Sequence, residues 1–319
     1  TSTMEAEDPT PIQIDLSAPV PQVTGCRTHG QVALTYSEGP SDATAGIARQ
    51  LNQAEARGNF FINASMMYAQ QYAMVVQNLY HAGHLIGMTY RVPFDLEERG
   101  TESVTDDMLV NDILNQAYMI ETLIGMAPKY VRMHYTATSP SPLDVRAEHL
   151  LHQNGFVLVG YNLDSKDYQL KDGGSIEKEY VRAFRHQKDT YDAKGSFISI
   201  QYDVPSTGSL KAVPNVIKAL NDEGYTAVRL DGCLNDPAPY KASAQQLSYV
   251  GDKFSFNTTG YHQGQKLIPI VAEASENEDA VHGLSAQPDE SSANRHAMTL
   301  PLLSLTLALL LYDTMLVFL

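Results

Sequence analysis

The strongest constraint on what this chain can fold into is an alternation. From residue 31 to residue 230, short β-rich runs take turns with segments whose apolar residues repeat at helical spacing. Residues 31–36 (QVALTY) read as a strand that ends in a Gly39-Pro40 turn. Residues 44–57 read as a helix, with Ile47, Leu51 and Ala54 on one face and Gly58 as the stop. Then come strand 60–62, helix 72–82, strand 84–87, a long helix 105–125 with Leu109, Ile113, Ile120 and Ile124 on one side, and strand 130–131. Ser141 caps a helix that has Pro142 at its first position and Gly155 at its end. Strand 157–159, helix 175–186, strand 197–200, helix 213–220 and strand 226–230 complete the series. About seven strand–helix units in one run predict an α/β domain built on a parallel sheet. No G-x-G-x-x-G follows the first strand, so a single distorted parallel (β/α) barrel is expected rather than an open dinucleotide-binding sheet. Such barrels carry their sites at the C-terminal strand ends, which directs attention to 36–40, 87–93, 132–135, 161–168 and 201–205.

The flanks differ from this core. The 319 residues carry 22 Lys and Arg against 37 Asp and Glu, a net charge of −15. Residues 26–240 hold 18 and 25 of these, so about half of the acidity lies outside the barrel. That balance excludes nucleic acid as a partner, because phosphate binding needs clustered Lys and Arg. Residues 1–25 read as an extended arm, 241–272 as a C-terminal extension and 273–298 as an acidic disordered linker. Residues 299–319 are apolar apart from Asp313 and long enough to cross a bilayer. Small residues at Ser291, Ser292 and Ala293, a short polar spacer and this tail form the pattern of a GPI-attachment signal, with Ser291 as the attachment residue. A simple tail anchor is the alternative. Either makes the membrane a partner and places the barrel on the outer face of the plasma membrane or in the cell wall, by the secretory route. Sequons at Asn63 and Asn257, as N-glycosylation sites, fit that compartment.

The strand ends, taken in order, resemble the polysaccharide deacetylases, specifically the fungal chitin deacetylases, over roughly residues 26 to 240. VALTYSEGPS from Val32 is similar to that family's VALTFDDGPS, GNFFIN from Gly58 to ATFFVNG, and AGHLIGMTYRV from Ala82 to GHEIGNHTxSH. VRMHY from Val131 sits where the family has FRPPY, NLDSKDY from Asn162 where it has xxDSxDW, ISIQ from Ile198 where it has ILLH, and CLNDP from Cys233 where it has CLGDP. The resemblance implies hydrolysis of N-acetyl groups on GlcNAc units, with a divalent metal such as zinc or cobalt held by one Asp and two His, an Asp base and a His acid. It puts Ser37 at the base, Glu38 at the metal Asp, Met88 and Val92 at the metal His positions and Gln201 at the acid. Serine lacks basicity, Met is a soft ligand, Val is none, and Gln carries no transferable proton. No cofactor is therefore expected.

Other family positions persist. Arg132 matches the Arg that pairs with the base, Asp164 the Asp that orients the acid, and Tyr135 the Tyr of the third motif. With their partners changed, Arg132 is expected to pair with Glu38 or Asp164, because an unpaired buried charge is costly. His134, in place of a Pro, is the best candidate for a new role; His81 and His84 read as structural. The resemblance also implies a bridge between Cys26 and Cys233, the alternative being two free thiols. The expected function is a chitin deacetylase-like pseudoenzyme that binds chitin or another GlcNAc polymer or acts structurally. With no Trp in the chain, Tyr36, Tyr90, Tyr135, Tyr161 and Tyr168 would supply the stacking faces. The alternatives are a divergent active deacetylase using Ser37, Glu38 and His134, and an adhesion protein whose groove is irrelevant.

Overall fold

A computed structural model describes residues 16–257. In chain order they form β1 (Gln22–Val23), β2 (Gln31–Ser37), α1 (Thr44–Gln53), β3 (Asn59–Asn63), α2 (Gln70–His81), β4 (Leu85–Tyr90), α3 (Phe94–Arg99), α4 (Asp106–Ile124), β5 (Ala127–Pro128), β6 (Tyr130–Met133) and α5 (Pro142–Gln153). There follow β7 (Val157–Val159), β8 (Leu163–Asp164), α6 (Gly173–Tyr191), β9 (Phe197–Tyr202), α7 (Ser209–Asp222), β10 (Thr226–Ala227), α8 (Leu230–Leu234), β11 (Tyr240–Lys241) and β12 (Tyr249–Val250). The main sheet runs β1-β7-β6-β4-β3-β2-β9-β8, every pair parallel, with β10 beside the start of β2. It curls into a half-barrel clothed by helices. Two facts show the curl. β7 and β8 lie toward opposite ends of the sheet yet are only residues 160–162 apart in the chain. The Arg132 side chain on β6 reaches Thr35 and Ser37 on β2, past β4 and β3.

Alternation along the strands sorts the core into two faces. Val32, Leu34 and Tyr36 of β2, Phe60 and Ile62 of β3 and Ile86, Met88 and Tyr90 of β4 pack against the helices. Ala33, Phe61, Leu85, Tyr130, Val159 and Ile198 fill the inside of the curl. The helices obey their end signals. Thr105 caps α4 by accepting from Met108 N (3.3 Å), and Gly125 ends it with φ 79°. Ser141 and Asp144 form a reciprocal capping box at α5, with Pro142 in the first turn. The Asp172 side chain accepts from Ser175 N and starts α6 two residues earlier than the apolar pattern suggests. Helix α7 opens at Ser209, four residues before the expected start at 213, with Pro214 inside it. Proline frees the carbonyl four residues back, and here Leu210 O accepts from Gln50 Nε2 (3.2 Å) instead.

Both expected edges of the barrel shift. Gln22–Val23, inside the expected arm, pairs with β7. Beyond residue 240, β11 joins β12 and β5 in an antiparallel sheet, and Asp252 joins a buried ion pair with Arg229. The expected strand 226–230 shortens to β10, because Leu230 N turns to donate to Asn59 Oδ1 (2.7 Å) and opens α8. Cys26 and Cys233 are bonded to each other, with a Cα–Cα distance of 4.4 Å. The first 15 residues, the end of the extension, the acidic linker, Ser291 and the apolar tail lie outside the described residues.

Candidate functional site

A cleft of about 240 Å³ opens at the C-terminal ends of β2, β6, β7 and β9. The register of β2 against β9 decides what lines it. Thr35 pairs with Ile200 and Ser37 with Tyr202, and these point into the curl; Tyr36 pairs with Gln201, and both lie on the other face. On β4 the same alternation sends Met88 to the helix side and Thr89 inward, where its Oγ1 donates to Phe61 O (2.9 Å). From β6 comes Arg132, from the following loop His134 and Tyr135, and from the β7 side Gly160 and Tyr161.

Glu38 occupies the turn after β2 with φ 76°, a left-handed backbone that a residue with a Cβ adopts at a cost. Its Oε1 meets His134 Nδ1 at 2.7 Å. The hydrogen bond to Glu38 raises the His134 pKa, partial burial opposes it, and the Glu38 charge adds to the rise. The next residue, Gly39, is fixed from below. Its N–H donates to Asp203 Oδ1 (3.0 Å), and a Cβ there would lie 1.9 Å from Asp203 Oδ2. Asp203 also accepts from Thr44 Oγ1 (2.6 Å), yet full burial pushes its pKa up to about 7. Asp167 accepts from Tyr202 N (2.7 Å) and is likewise pushed up by burial, to about 6.

Arg132 forms the floor. Nη1 donates to Thr35 Oγ1 (2.6 Å) and Ser37 Oγ (3.1 Å), Nε to Val159 O (3.2 Å) and Nη2 to Gly160 O (2.9 Å), while the guanidinium lies over the Phe61 ring at 4.5 Å. Burial lowers its pKa to about 10. The expected pairing with Glu38 or Asp164 is not made. Glu38 is bonded to His134, and Asp164 accepts from Lys166 N and the Tyr168 hydroxyl.

The structure separates the other predicted residues. Tyr161 (46% exposed) and Tyr168 (45% exposed) stand at the rim, Tyr168 edge-on to Tyr202 with centroids 6.2 Å apart. Tyr135 lines the cleft, its hydroxyl donating to Glu148. Tyr36 and Tyr90 are no stacking faces: both are wholly buried, and Tyr36 stacks on Phe60. Met88 and Val92 are core residues turned from the cleft, as is buried Gln201. The side chains that take the inward places on β4 and β9 are Thr89 and Tyr202, one residue beyond Met88 and Gln201. Strict alternation counted from Ser37 would have found them. His84 is buried against Phe60, accepts from Gly58 N and is pushed down to about 3 by burial. His81 is exposed at the end of α2. Asn63 holds Ser65 through its Oδ1 (2.7 Å to Oγ). Asn257 is exposed, and the rest of its sequon lies outside the described residues.

Residues 24–153 match the polysaccharide deacetylase family. The fold agrees with the solved structure of the chitin deacetylase from Colletotrichum lindemuthianum, at a TM-score of 0.58 and 27% identity over 70% of this chain and 97% of that one. The chain carries a polysaccharide deacetylase domain. In sequence, the domain is 28% identical over 239 residues to the Colletotrichum lindemuthianum enzyme, covering 72% of this chain and 89% of that one. It is 29% identical over 219 residues to a chitin deacetylase of Arthroderma benhamiae, covering 67% of this chain. The chain spans about half of that Arthroderma relative, 54% of its length. The cleft of the deacetylase domain lies at the strand ends where the sequence motifs converge.

Proposed function

We propose that this deacetylase domain binds GlcNAc polymer without hydrolysing it. One observation carries the reading: the inward residue at the end of β2 is Ser37, whose Oγ accepts from the buried Arg132 guanidinium. A hydroxyl so placed has no basicity with which to activate water at neutral pH. The donor set argues the same way. Polysaccharide deacetylases ordinarily work with a divalent metal. Here the cleft offers one carboxylate, Glu38, and one imidazole, His134, already bonded to each other, and the inward residues of β4 and β9 supply a threonine and a tyrosine. Among the described residues no group of three His, Cys, Asp or Glu is placed to hold a metal ion. Such a set does not fit a site that needs three protein ligands.

The relatives named chitin deacetylase supply the ligand class, and Tyr161 and Tyr168 supply exposed rings at the rim. The apolar tail and Ser291 support a further proposal, attachment to the outer face of the plasma membrane. The test combines three measurements on the purified protein: retention on insoluble chitin, acetate release from chito-oligomers, and metal content. Retention without acetate release is expected, and Tyr161→Ala or Tyr168→Ala should weaken it about three- to tenfold each. Acetate release accompanied by stoichiometric zinc or cobalt would overturn the reading. One observation favours the second reading, an active divergent deacetylase: Glu38 orients His134 through Nδ1 beside Ser37, as a carboxylate orients a catalytic imidazole. In that case His134→Gln abolishes acetate release.

A further inference from the structure

Arg132 is 5% exposed, and its guanidinium bonds all go to neutral oxygens: two hydroxyls and two backbone carbonyls. Among the described residues no carboxylate forms an ion pair with it. A buried charge in this position is stabilised by neutral dipoles and the Phe61 ring, which are a poor substitute for an anion. Donors remain for a ligand. Four bonds leave the second Nη2 hydrogen of the five that a guanidinium carries. Ser37 Oγ accepts from Arg132, so its own hydrogen is available to donate. Arg132, Ser37 and the Tyr202 ring face one cleft with room for a sugar unit, and Glu38, the carboxylate that lines it, is taken up by His134.

We propose that the floor of this cleft is a carboxylate site, built by Arg132 and Ser37, and that it takes an acidic sugar, a uronate unit, under the tyrosines of the rim. The proposal rests on the reading that the cleft holds a sugar without hydrolysing it. A carboxylate offers one oxygen to the remaining Nη2 hydrogen and the other to the Ser37 hydroxyl, and its charge answers the buried guanidinium as a hydroxyl or an acetamido oxygen cannot. Two sources of that group exist, a uronate and a small free carboxylate, and titration tells them apart.

The experiment is calorimetric titration of the full chain with D-glucuronate and acetate, with D-glucose and acetamide as uncharged matches and a chito-oligomer alongside. Glucuronate should bind at least about tenfold tighter than glucose, less tightly as chloride is raised. Ser37→Asp supplies a carboxylate to Arg132 from within the chain and should weaken glucuronate binding by about tenfold or more, whereas Ser37→Ala, which only removes one of the two donors, should weaken it less, by about three- to fivefold. Both variants change one small side chain, and far-ultraviolet circular dichroism checks that they fold. Glucuronate no tighter than glucose, or indifferent to Ser37→Asp, overturns the proposal. Acetate binding without glucuronate binding retains the carboxylate site and overturns the sugar. Chito-oligomer binding without glucuronate binding sinks this site but leaves the proposed function standing, and the converse result sinks the proposed function alone.

Discussion

Glu38 shows what one residue settles at this site. Its left-handed backbone costs about 1 kcal/mol or more, so its neighbours must impose it. Below, Asp203 locks Gly39; beside it, Thr89 Oγ1 lies 3.5 Å from Glu38 N; in front, His134 takes the carboxylate. The last contact makes a pH prediction. The hydrogen bond to Glu38 raises the folded-state pKa of His134 above that of an unfolded histidine, about 6.5. Protonation is therefore favoured in the fold. The pair's contribution is fully present below about pH 6.5 and lost as pH rises through the raised folded value. Glu38→Gln should lower the His134 midpoint, read from its imidazole proton shifts. The stability gap between wild type and variant should be widest in mild acid and close on the alkaline side. A midpoint that does not move would show that His134 titrates independently of Glu38.

At the scale of the element, most of the architecture is legible in the sequence, and its failures share a cause. Helix ends are marked by local chemistry, so Thr105, Ser141 and Gly125 announce boundaries that the structure keeps. The capping box at α5 gives a direct check. Ser141→Ala removes the acceptor for Asp144 N and should destabilise the domain by about 1 kcal/mol in denaturant unfolding. A change near zero would mean that Asp144 and Pro142 alone hold the helix start. Helix α7 is less legible, because the carbonyl that Pro214 frees, Leu210 O, is taken by Gln50, 160 residues from Leu210 in the chain. Strands mark their faces only by parity, and a one-residue slip exchanges them. The motif around β2 fixes Ser37 and Glu38 without slip, since Gly39-Pro40 anchors it. On β4 and β9, matching short motifs singles out Met88 and Gln201, whereas the pairings Asn63↔Thr89 and Ser37↔Tyr202 show which neighbours turn inward. Thr89 and Tyr202, like Met88 and Gln201, carry no imidazole. The buried tyrosines fail for the same reason: Tyr36 and Tyr90 sit on the wrong parity for a cleft.

For the whole molecule the deciding question is what holds an incomplete barrel shut, since β1 and β8 end the sheet without pairing to each other. Three devices act near the N-terminal ends of the strands. Arg229 is buried between Asp231 and Asp252, tying the segment after β10 to the residues beyond β12. Thr226 N donates to Gly30 O (2.9 Å), seating β10 beside β2. The disulfide joins Cys26 to Cys233 across 207 residues, and Arg27 N donates to Cys233 O (2.8 Å) next to it. In the chain-entropy account a loop of this length restricts the unfolded state strongly, by about 5 kcal/mol, and losses on removing a native bridge are commonly about 2–5 kcal/mol. The lower half of that range is the better expectation here. The hydrogen bonds and ion pairs at the same end form only in the folded state and remain when the bridge is gone, but reduced unfolded chains still gain freedom that the bridged chain lacks. Cys26→Ser with Cys233→Ser, unfolded in urea beside the oxidised wild type, should therefore lose about 2–3 kcal/mol, with a steeper denaturant slope as the unfolded state expands. Equal stability with an unchanged slope would mean that the unfolded chain is already held compact at this end without the bridge.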